Sequence, residues 1–378
     1  MFIVNYKKIC HLTSVHQRYD TRIFLKECRS LANSDYSVSL IVADGNGDEV
    51  KDAVSIFDIG VSKGRLNRIF ITTRRVFKKA CELDCEIYHL HDPELIPVGL
   101  KLKRLGKIVI FDSHEDVPKQ LLGKPYLNKP SKWLLSKLFA VYESFACKRF
   151  DAIVTATPYI CDKFLKINST TVDINNFPIL GELASTSNDW NQKRNEVCYV
   201  GGIAAIRGIK EIIRAMGQIK SGARLQLGGL FSEKHVELKV KEYPGWQKVD
   251  ELGWLDRKGV REVLNHSMAG LVTLHPIINY VDALPVKMFE YMSAGIPVIA
   301  SNFSLWREII EGNDCGLCVD PMNPAAIAEA IDFLVENPER SQQMGENGKQ
   351  AVYKRYNWSI EEKKLVELYN ELANKGAS

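Results

Sequence analysis

The sequence predicts an α/β protein built from two doubly wound parallel-sheet domains. Short apolar runs alternate with helical patterns along nearly the whole chain, as expected for parallel strands with helices on both faces. The alternation occurs twice, on either side of a polar, irregular stretch. A length of 378 residues is enough for two domains of ordinary size.

In the first half, Ile9–Val15, Val38–Ala43, Glu86–Leu90, Lys107–Asp112 and Ala152–Ala156 read as buried strands, and Arg22–Ala32 as a helix. Asn175-Asn-Phe-Pro178 followed by Gly181–Lys193 reads as the linker. In the second half, Val197–Val200, Arg224–Gly228, Ala269–Leu274, Pro297–Ala300 and Gly316–Val319 read as strands. Ile209–Met216 begins a helix, and Pro324–Val335 and Glu361–Leu372 are amphipathic helices. The expected boundaries are 1–178, 179–355 and a terminal helix within 356–378. Ligands of such sheets bind beyond the carboxyl ends of the strands, so the cleft between two such domains is the expected site.

Composition narrows the class. The apolar and charged fractions, 46% and 25%, are those of a soluble globular protein. A net charge of +4 gives no reason to expect nucleic acid. Its distribution is uneven: the chain is about +7 up to Pro178 and about −3 beyond it. Lysines interrupt the first ten residues where a leader would need an apolar core. No apolar run reaches the roughly 18 residues of a membrane span. Nine scattered cysteines fit a reducing compartment. Cys315-Gly-Leu-Cys318 has no second Cys or His pair nearby and is read as structural. A cytoplasmic location is expected.

The stretch Asp282–Ala300 carries the most chemistry. An acid stands on a loop, Pro285 opens a helix, Glu290 lies inside it, and Gly295 stops it before a buried strand. The N–H groups and positive dipole end of such a helix attract phosphate. Lys287 and Glu290 are three apart and share a face. That face offers a cation for phosphates and a carboxylate for a vicinal diol, a pairing known from nucleotide sites. Phosphate, diol and the second acid, Asp282, together describe a nucleotide-sugar. Tyr199-Val-Gly-Gly202-Ile-Ala-Ala-Ile-Arg207-Gly208 reads as strand, glycine loop and helix. Arg207 stands where its planar fork can clamp a diphosphate. Taken alone, the loop reads equally well as a tight turn with a solvent-facing arginine.

The first half supplies polar strand ends. Asp112-Ser-His114-Glu115 follows a strand, which turns His114 toward a cleft, where it can donate to a sugar hydroxyl; a core histidine is the competing reading. In His89-Leu-His91-Asp92-Pro93-Glu94 the two histidines are expected on opposite sides of the sheet, which argues against a shared metal. The loop Thr13–Arg22 is polar and lacks glycine, so it is no dinucleotide fingerprint. The chain has no Asp-x-Asp triplet, which moves the charge work from a metal to Arg207, Lys287 and helix N-termini. Lys119–Arg149 is basic and carries Trp133, Leu134, Leu135, Leu138, Phe139, Val141, Tyr142 and Phe145 at helical spacing. It reads as a helix packed on the sheet, or as one resting on an anionic membrane through Lys119, Lys124, Lys129, Lys132 and Lys137.

The Glu-Tyr-Met-x-Ala-Gly-x-Pro-Val-Ile block, the Gly-Gly…Arg-Gly loop and the Ser-His-Glu strand end resemble family-4 retaining glycosyltransferases of the GT-B fold. Tyr19-Asp-Thr-Arg22-Ile-Phe and His-Leu-His-Asp-Pro-Glu look like the branch that builds bacterial surface polysaccharide such as O-antigen. The resemblance implies a catalytic set of Asp282, His114 and Arg207. Asp282 would hold the donor sugar and Arg207 the diphosphate. Donor binding would fall to Glu290, Lys287, Gly202, Ala283, Leu284 and Trp254, and acceptor binding to Arg18, Asp20, Arg22, His91 and Glu115. It implies no cofactor and no metal, a nucleoside diphosphate sugar as co-substrate, and a lipid-linked saccharide as acceptor at the inner face of the membrane. Trp358–Leu372 would be the family's last helix, returning to the first domain. Two departures stand out: the first acid of the signature is Asp282 where Glu is usual, and Gly202 stands where an Arg often follows the loop's first glycine. The rival readings are a nucleotide-sugar epimerase on the same fold and a catalytically idle glycan-binding subunit.

Overall fold

The computed structural model describes residues 7–61, 64–123, 128–183 and 190–375. The opening residues, Lys124 and part of the expected linker lie outside them. The chain divides into two compact units. The first runs to Asn176 and resumes at Ile360; the second is Phe177–Ser359.

The first unit holds an eight-stranded sheet. Its strands are β1 (Lys8–Leu12), β2 (Ser37–Val42), β3 (Glu49–Lys51), β4 (Val54–Asp58), β5 (Ile87–Leu90), β6 (Ile108–Ser113), β7 (Ala152–Thr155) and β8 (Thr171–Asp173). They lie in the order β3-β4-β2-β1-β5-β6-β7-β8, parallel except for the β3–β4 hairpin at the edge. The order reverses between β1 and β5, which pair Ile9 with Ile87 and His11 with His89. β1 ends at Leu12, earlier than expected, because Thr13 and Ser14 turn to bond Asp92. The helix after it begins as a π-wound segment, Ile23–Cys28, and continues as the α-helix Arg29–Ala32.

The second unit holds six strands: β9 (Glu196–Val200), β10 (Arg224–Gly228), β11 (Val249–Gly253), β12 (Ala269–Val272), β13 (Val298–Ser301) and β14 (Gly316–Val319). All pairs are parallel, in the order β11-β10-β9-β12-β13-β14. Numbered within the unit this is 3-2-1-4-5-6, the dinucleotide-fold order, with its switch point between β9 and β12. Both faces are covered. Val197 and Tyr199 enter one apolar core and Cys198, between them, the other. The helix Val286–Ser293 is held against this sheet by Tyr291. Its ring lies so close to Gly270 that a Cβ there would stand 2.2 Å from Cδ2. Its hydroxyl accepts the Val200 N–H at 2.9 Å, which fixes the end of β9 where the glycine loop begins.

The long helix Lys129–Cys147 leaves Trp133, Leu134, Leu135, Leu138, Val141 and Phe145 exposed, so much of its apolar side is not packed on the sheet. A second exposed apolar group stands at Leu66, Ile69, Phe70 and Ile71. Among the described residues no helix is long and apolar enough to cross a membrane.

Candidate functional site

In the second unit the glycine loop, the loop after β12 and the helix Val286–Ser293 converge. Gly201 has φ +125°, and a Cβ there would stand 3.2 Å from Lys287 Nζ. Glycine is needed both for the backbone angle and for the ammonium's approach. Gly208, at φ +83°, lets Arg207 end a short turn while the helix Ile209–Met216 starts immediately after; a Cβ would fall 2.0 Å from Thr273 O. Gly202 is exposed, and its carbonyl accepts Arg207 Nη1 at 3.1 Å and Tyr199 Oη at 2.8 Å. The turn is tight as expected, and Arg207 is half-buried against it, not directed into solvent.

Lys287 hangs 3.7 Å over the Tyr199 ring. Its Nζ is closed off from solvent and makes no hydrogen bond. Burial, reinforced by the nearby Arg207 charge and opposed by Glu290, lowers its pKa to about 7. Thr273 Oγ1 and Asn279 Oδ1, on the segment between β12 and this helix, are likewise buried without hydrogen-bond partners. Buried polar atoms are normally satisfied, so these three atoms remain open to bonds that the described residues do not supply.

Glu290 lies one turn along, half-buried, with Oε1 2.7 Å from Arg257 Nη1; Arg257 Nε in turn meets Glu182 Oε1 at 2.7 Å. The carboxylate is thus fixed by a cation and kept from the apolar interior. Arg257 and Glu182 were not legible as site residues, since only the fold brings them to Glu290. Asp282, Ala283 and Leu284 form the half-buried loop before the helix, and Trp306 Nε1 donates to Ala283 O at 2.7 Å. Trp254 follows β11 and is 71% exposed. His275, past the end of β12, bonds Glu211 Oε2 at 2.9 Å.

The first unit gathers its polar residues differently. Arg22 is buried and grips Asp112 with Nε at 2.9 Å and Nη2 at 3.0 Å, while Nη1 bonds Ile174 O. Against the cost of burial, Arg22 and the neighbouring histidines hold the Asp112 carboxyl well below its ordinary range. His114 is partly exposed, with Nε2 3.1 Å from Asp112 Oδ2, and stacks on His16. His16 bridges Asp20 at 3.1 Å and Asp92 at 3.5 Å. Asp20 also accepts the Arg22 and Ile23 N–H groups and so starts the π-wound segment. Glu115 is exposed and takes a bond from Gln120.

Three acceptor expectations change. Arg22 and His91 are each 2% exposed, so they support Asp112 and do not reach an outside molecule. Arg18 is occupied by Asp44, Glu49 and Gly47 O, which ties down the 44–49 loop. The expectation that His89 and His91 point to opposite sides is overturned: their ring centroids are 4.6 Å apart. Residues two apart on a strand share a face; here that face is opposite to the one carrying Cys10, Leu12, Tyr88 and Leu90. Cys315 is buried against Ile309 O and Ile310 O, and burial raises its pKa to about 12, in keeping with a structural thiol.

Comparison with known proteins covers most of the chain. The family model described as Glycosyl transferases group 1 matches residues 182–351, and that described as Glycosyltransferase Family 4 matches residues 21–173. An uncharacterised glycosyltransferase of Methanocaldococcus jannaschii is 26% identical over 46% of this chain and 44% of its own length. The alpha-D-kanosaminyltransferase of Streptomyces kanamyceticus is 24% identical over 47% and 45%. The match thus spans a little under half the length of each of these two relatives. Sucrose-phosphate synthase from Thermosynechococcus elongatus has a similar fold, with a TM-score of 0.80 at 17% identity over 98% of this chain and 100% of that one. HepE of Anabaena in complex with UDP-glucose gives 0.74 at 13% identity over 97% and 100%. WaaG, a glycosyltransferase involved in lipopolysaccharide biosynthesis, gives 0.72 at 13% over 95% and 99%. These likenesses identify the GT-B fold.

Proposed function

We infer that this chain, which belongs to the family-4 glycosyltransferases of GT-B fold, moves a hexose or N-acetylhexosamine from a nucleoside diphosphate sugar to a lipid-linked glycan. The reading rests on one observation above all: the buried Lys287 Nζ, without a hydrogen bond among the described residues, lies against Gly201 while Arg207 Nη1 lies against the adjacent Gly202. Two cations held together at a glycine loop favour an anion carrying more than one charge, as a diphosphate does.

Breaking the anomeric C–O bond builds negative charge on the departing diphosphate. Arg207, Lys287 and the first-turn N–H groups of the helix Val286–Ser293 would meet that charge without having to reorganise, an effect worth several kcal/mol. Glu290, fixed by Arg257, would hold the ribose diol, and Asp282 the transferred sugar. Ala283, Leu284, Gly202 and Trp254 would complete the donor's surroundings. His114, steadied by Asp112, would contact the sugar at the reacting face, and the exposed Glu115 an acceptor hydroxyl. Asp20, bonded to His16, would position that group. Attack on the same face as departure, with retained configuration, would need no enzyme nucleophile, and with the charge met by side chains no metal would be required at the diphosphate.

A UDP-sugar is the favoured donor, with GDP-mannose next; a UDP-glucose complex exists for the similarly folded HepE. The exposed Trp133, Leu138, Val141 and Phe145, with Lys129 and Lys137, suit the headgroup layer of an anionic membrane, where a lipid-linked acceptor resides. Bacterial surface-polysaccharide synthesis is the proposed setting, and the WaaG likeness is in keeping with it. The test incubates the purified protein with UDP-glucose, UDP-N-acetylglucosamine or GDP-mannose, with and without acceptor lipid, in buffers with and without magnesium or manganese. Transfer that requires acceptor, proceeds without added metal and retains anomeric configuration is expected. Conversion of the donor alone would establish an epimerase, and no turnover of any donor an idle subunit.

A further inference from the structure

The first unit contains a second constellation that the transfer reaction does not use. β1 and β5 lie side by side at the switch point and present His11 and His89 on one face. His91 follows one step beyond on the same face. The π-wound segment Ile23–Cys28 lowers Glu27 onto them. His11, His89 and Glu27 are 0% exposed and His91 2%.

We propose that His11, His89, His91 and Glu27 bind one divalent transition-metal ion of the zinc class as a structural site inside the first unit. One ligand atom from each lies within 4.8 Å of all the others. Glu27 Oε2 is 3.9 Å from His11 Nδ1, 3.9 Å from His89 Nδ1 and 3.8 Å from His91 Nε2. His11 Nδ1 and His91 Nε2 are 2.8 Å apart. Four ligands placed about 2.0–2.1 Å from a tetrahedral zinc stand about 3.3–3.4 Å from one another. The distances to Glu27 and between His11 and His91, 2.8–3.9 Å, lie on either side of that value and the remaining pairs lie within 4.8 Å, so shifts of about 1–1.5 Å or less would seat an ion.

The outer contacts fit as well. A metal-bound imidazole generally gives its other nitrogen to a carboxylate, carbonyl or hydroxyl. His91 Nδ1 stands 3.3 Å from Asp112 Oδ2, and His11 Nε2 stands 3.2 Å from Tyr369 Oη. Tyr369 Oη is also 3.0 Å from His89 Nδ1, the nitrogen nearest Glu27, so His89 either exchanges that contact for the ion or turns its buried, unbonded Nε2 to it. Tyr369 comes from the terminal helix Trp358–Lys375, so an ion here would join β1, β5, the Glu27 segment and that helix.

Glu27 is the group that asks for a cation. Neither of its oxygens accepts a hydrogen bond, although both are buried. Arg22 Nε approaches to 3.1 Å, but its hydrogen is directed at Asp112. Neutral imidazoles are the ligand form, and a carboxylate in this setting is stable only with a cation or a proton. Three imidazoles and one carboxylate suit zinc and its neighbours better than magnesium or calcium. The ion would be separate from the diphosphate chemistry, and the inference does not depend on it.

The test uses the full chain, purified without a histidine tag or chelator. Elemental analysis is expected to find about one zinc-class ion per chain. Chelator-stripped protein titrated with cobalt(II) is expected to show the visible absorption of a tetrahedral site, saturating at one equivalent, and zinc should raise its melting temperature by several degrees. Glu27→Gln and His11→Gln should lose the ion and the cobalt spectrum; if either fails to fold, the wild-type titrations decide alone. A metal-free protein with no cobalt spectrum and a melting temperature indifferent to zinc would overturn the proposal and leave a proton-bridged network.

Discussion

The two units carry the same strand order around their switch points but answer the problem of charge in opposite ways. In the second unit, Arg207 and Lys287 stand together and the lysine makes no hydrogen bond. In the first, Arg22 is closed onto Asp112 and buried beside Glu27. One site is left electrically unfinished toward an anion; the other is nearly completed from within. An unfinished site is costly to the folded protein and useful to a ligand, whereas a completed one holds the structure and presents only its rim, His114 and Glu115.

Four measurements can break or sharpen this contrast. The largest effect is expected in the first unit. Asp112→Asn leaves Arg22 buried without the carboxylate that takes both its Nε and Nη2 bonds and should cost about 3–5 kcal/mol of stability, read by denaturant unfolding; a cost below about 1 kcal/mol would show the network to be slack. Next, Arg207→Ala should lower kcat by about 100- to 1000-fold with little change in melting temperature, as for loss of an oxyanion-stabilising group.

Third, Lys287→Met should weaken donor affinity by at least about tenfold while raising the melting temperature, because it removes a buried, unpaired charge. A fall in both would make the lysine a structural group. The smallest effect is a pH dependence. The Lys287 pKa of about 7 lies below that of an unfolded lysine, so the unfolded chain binds the extra proton between the two values and the residue's contribution to stability rises with pH above 7. Donor binding has the opposite sign, because an anion prefers the protonated form. The donor Kd should increase about tenfold per pH unit above 7, and Lys287→Met should abolish that slope.

The architecture was legible where strands are buried on both faces. β9, β12 and β13 read as continuous apolar runs. β11, Val249-Asp-Glu-Leu-Gly253, escaped notice because it is a polar edge strand, and the charged β3 because it is three residues long. Pro285, Lys287, Glu290 and Gly295 were legible because they act through helix geometry, which is local. Arg257 and Glu182 were not, since their meeting with Glu290 joins a loop and two helices far apart in the sequence. The histidine cluster was misread through strand parity: His89 and His91 share a face, and Glu27 comes to that face from the π-wound segment Ile23–Cys28.

The terminal helix has a temporal consequence. Tyr369 belongs to the first unit yet is translated after all of the second. At about 5–20 residues per second, the roughly 180 intervening residues occupy a ribosome for on the order of 10–40 s. Throughout that interval the nascent first unit has its sheet but not the tyrosine that closes over His11 and His89. Its maturation must therefore wait until the terminal helix has been made, and an early stop codon before Ile360 would leave that polar seam open to water in every copy made.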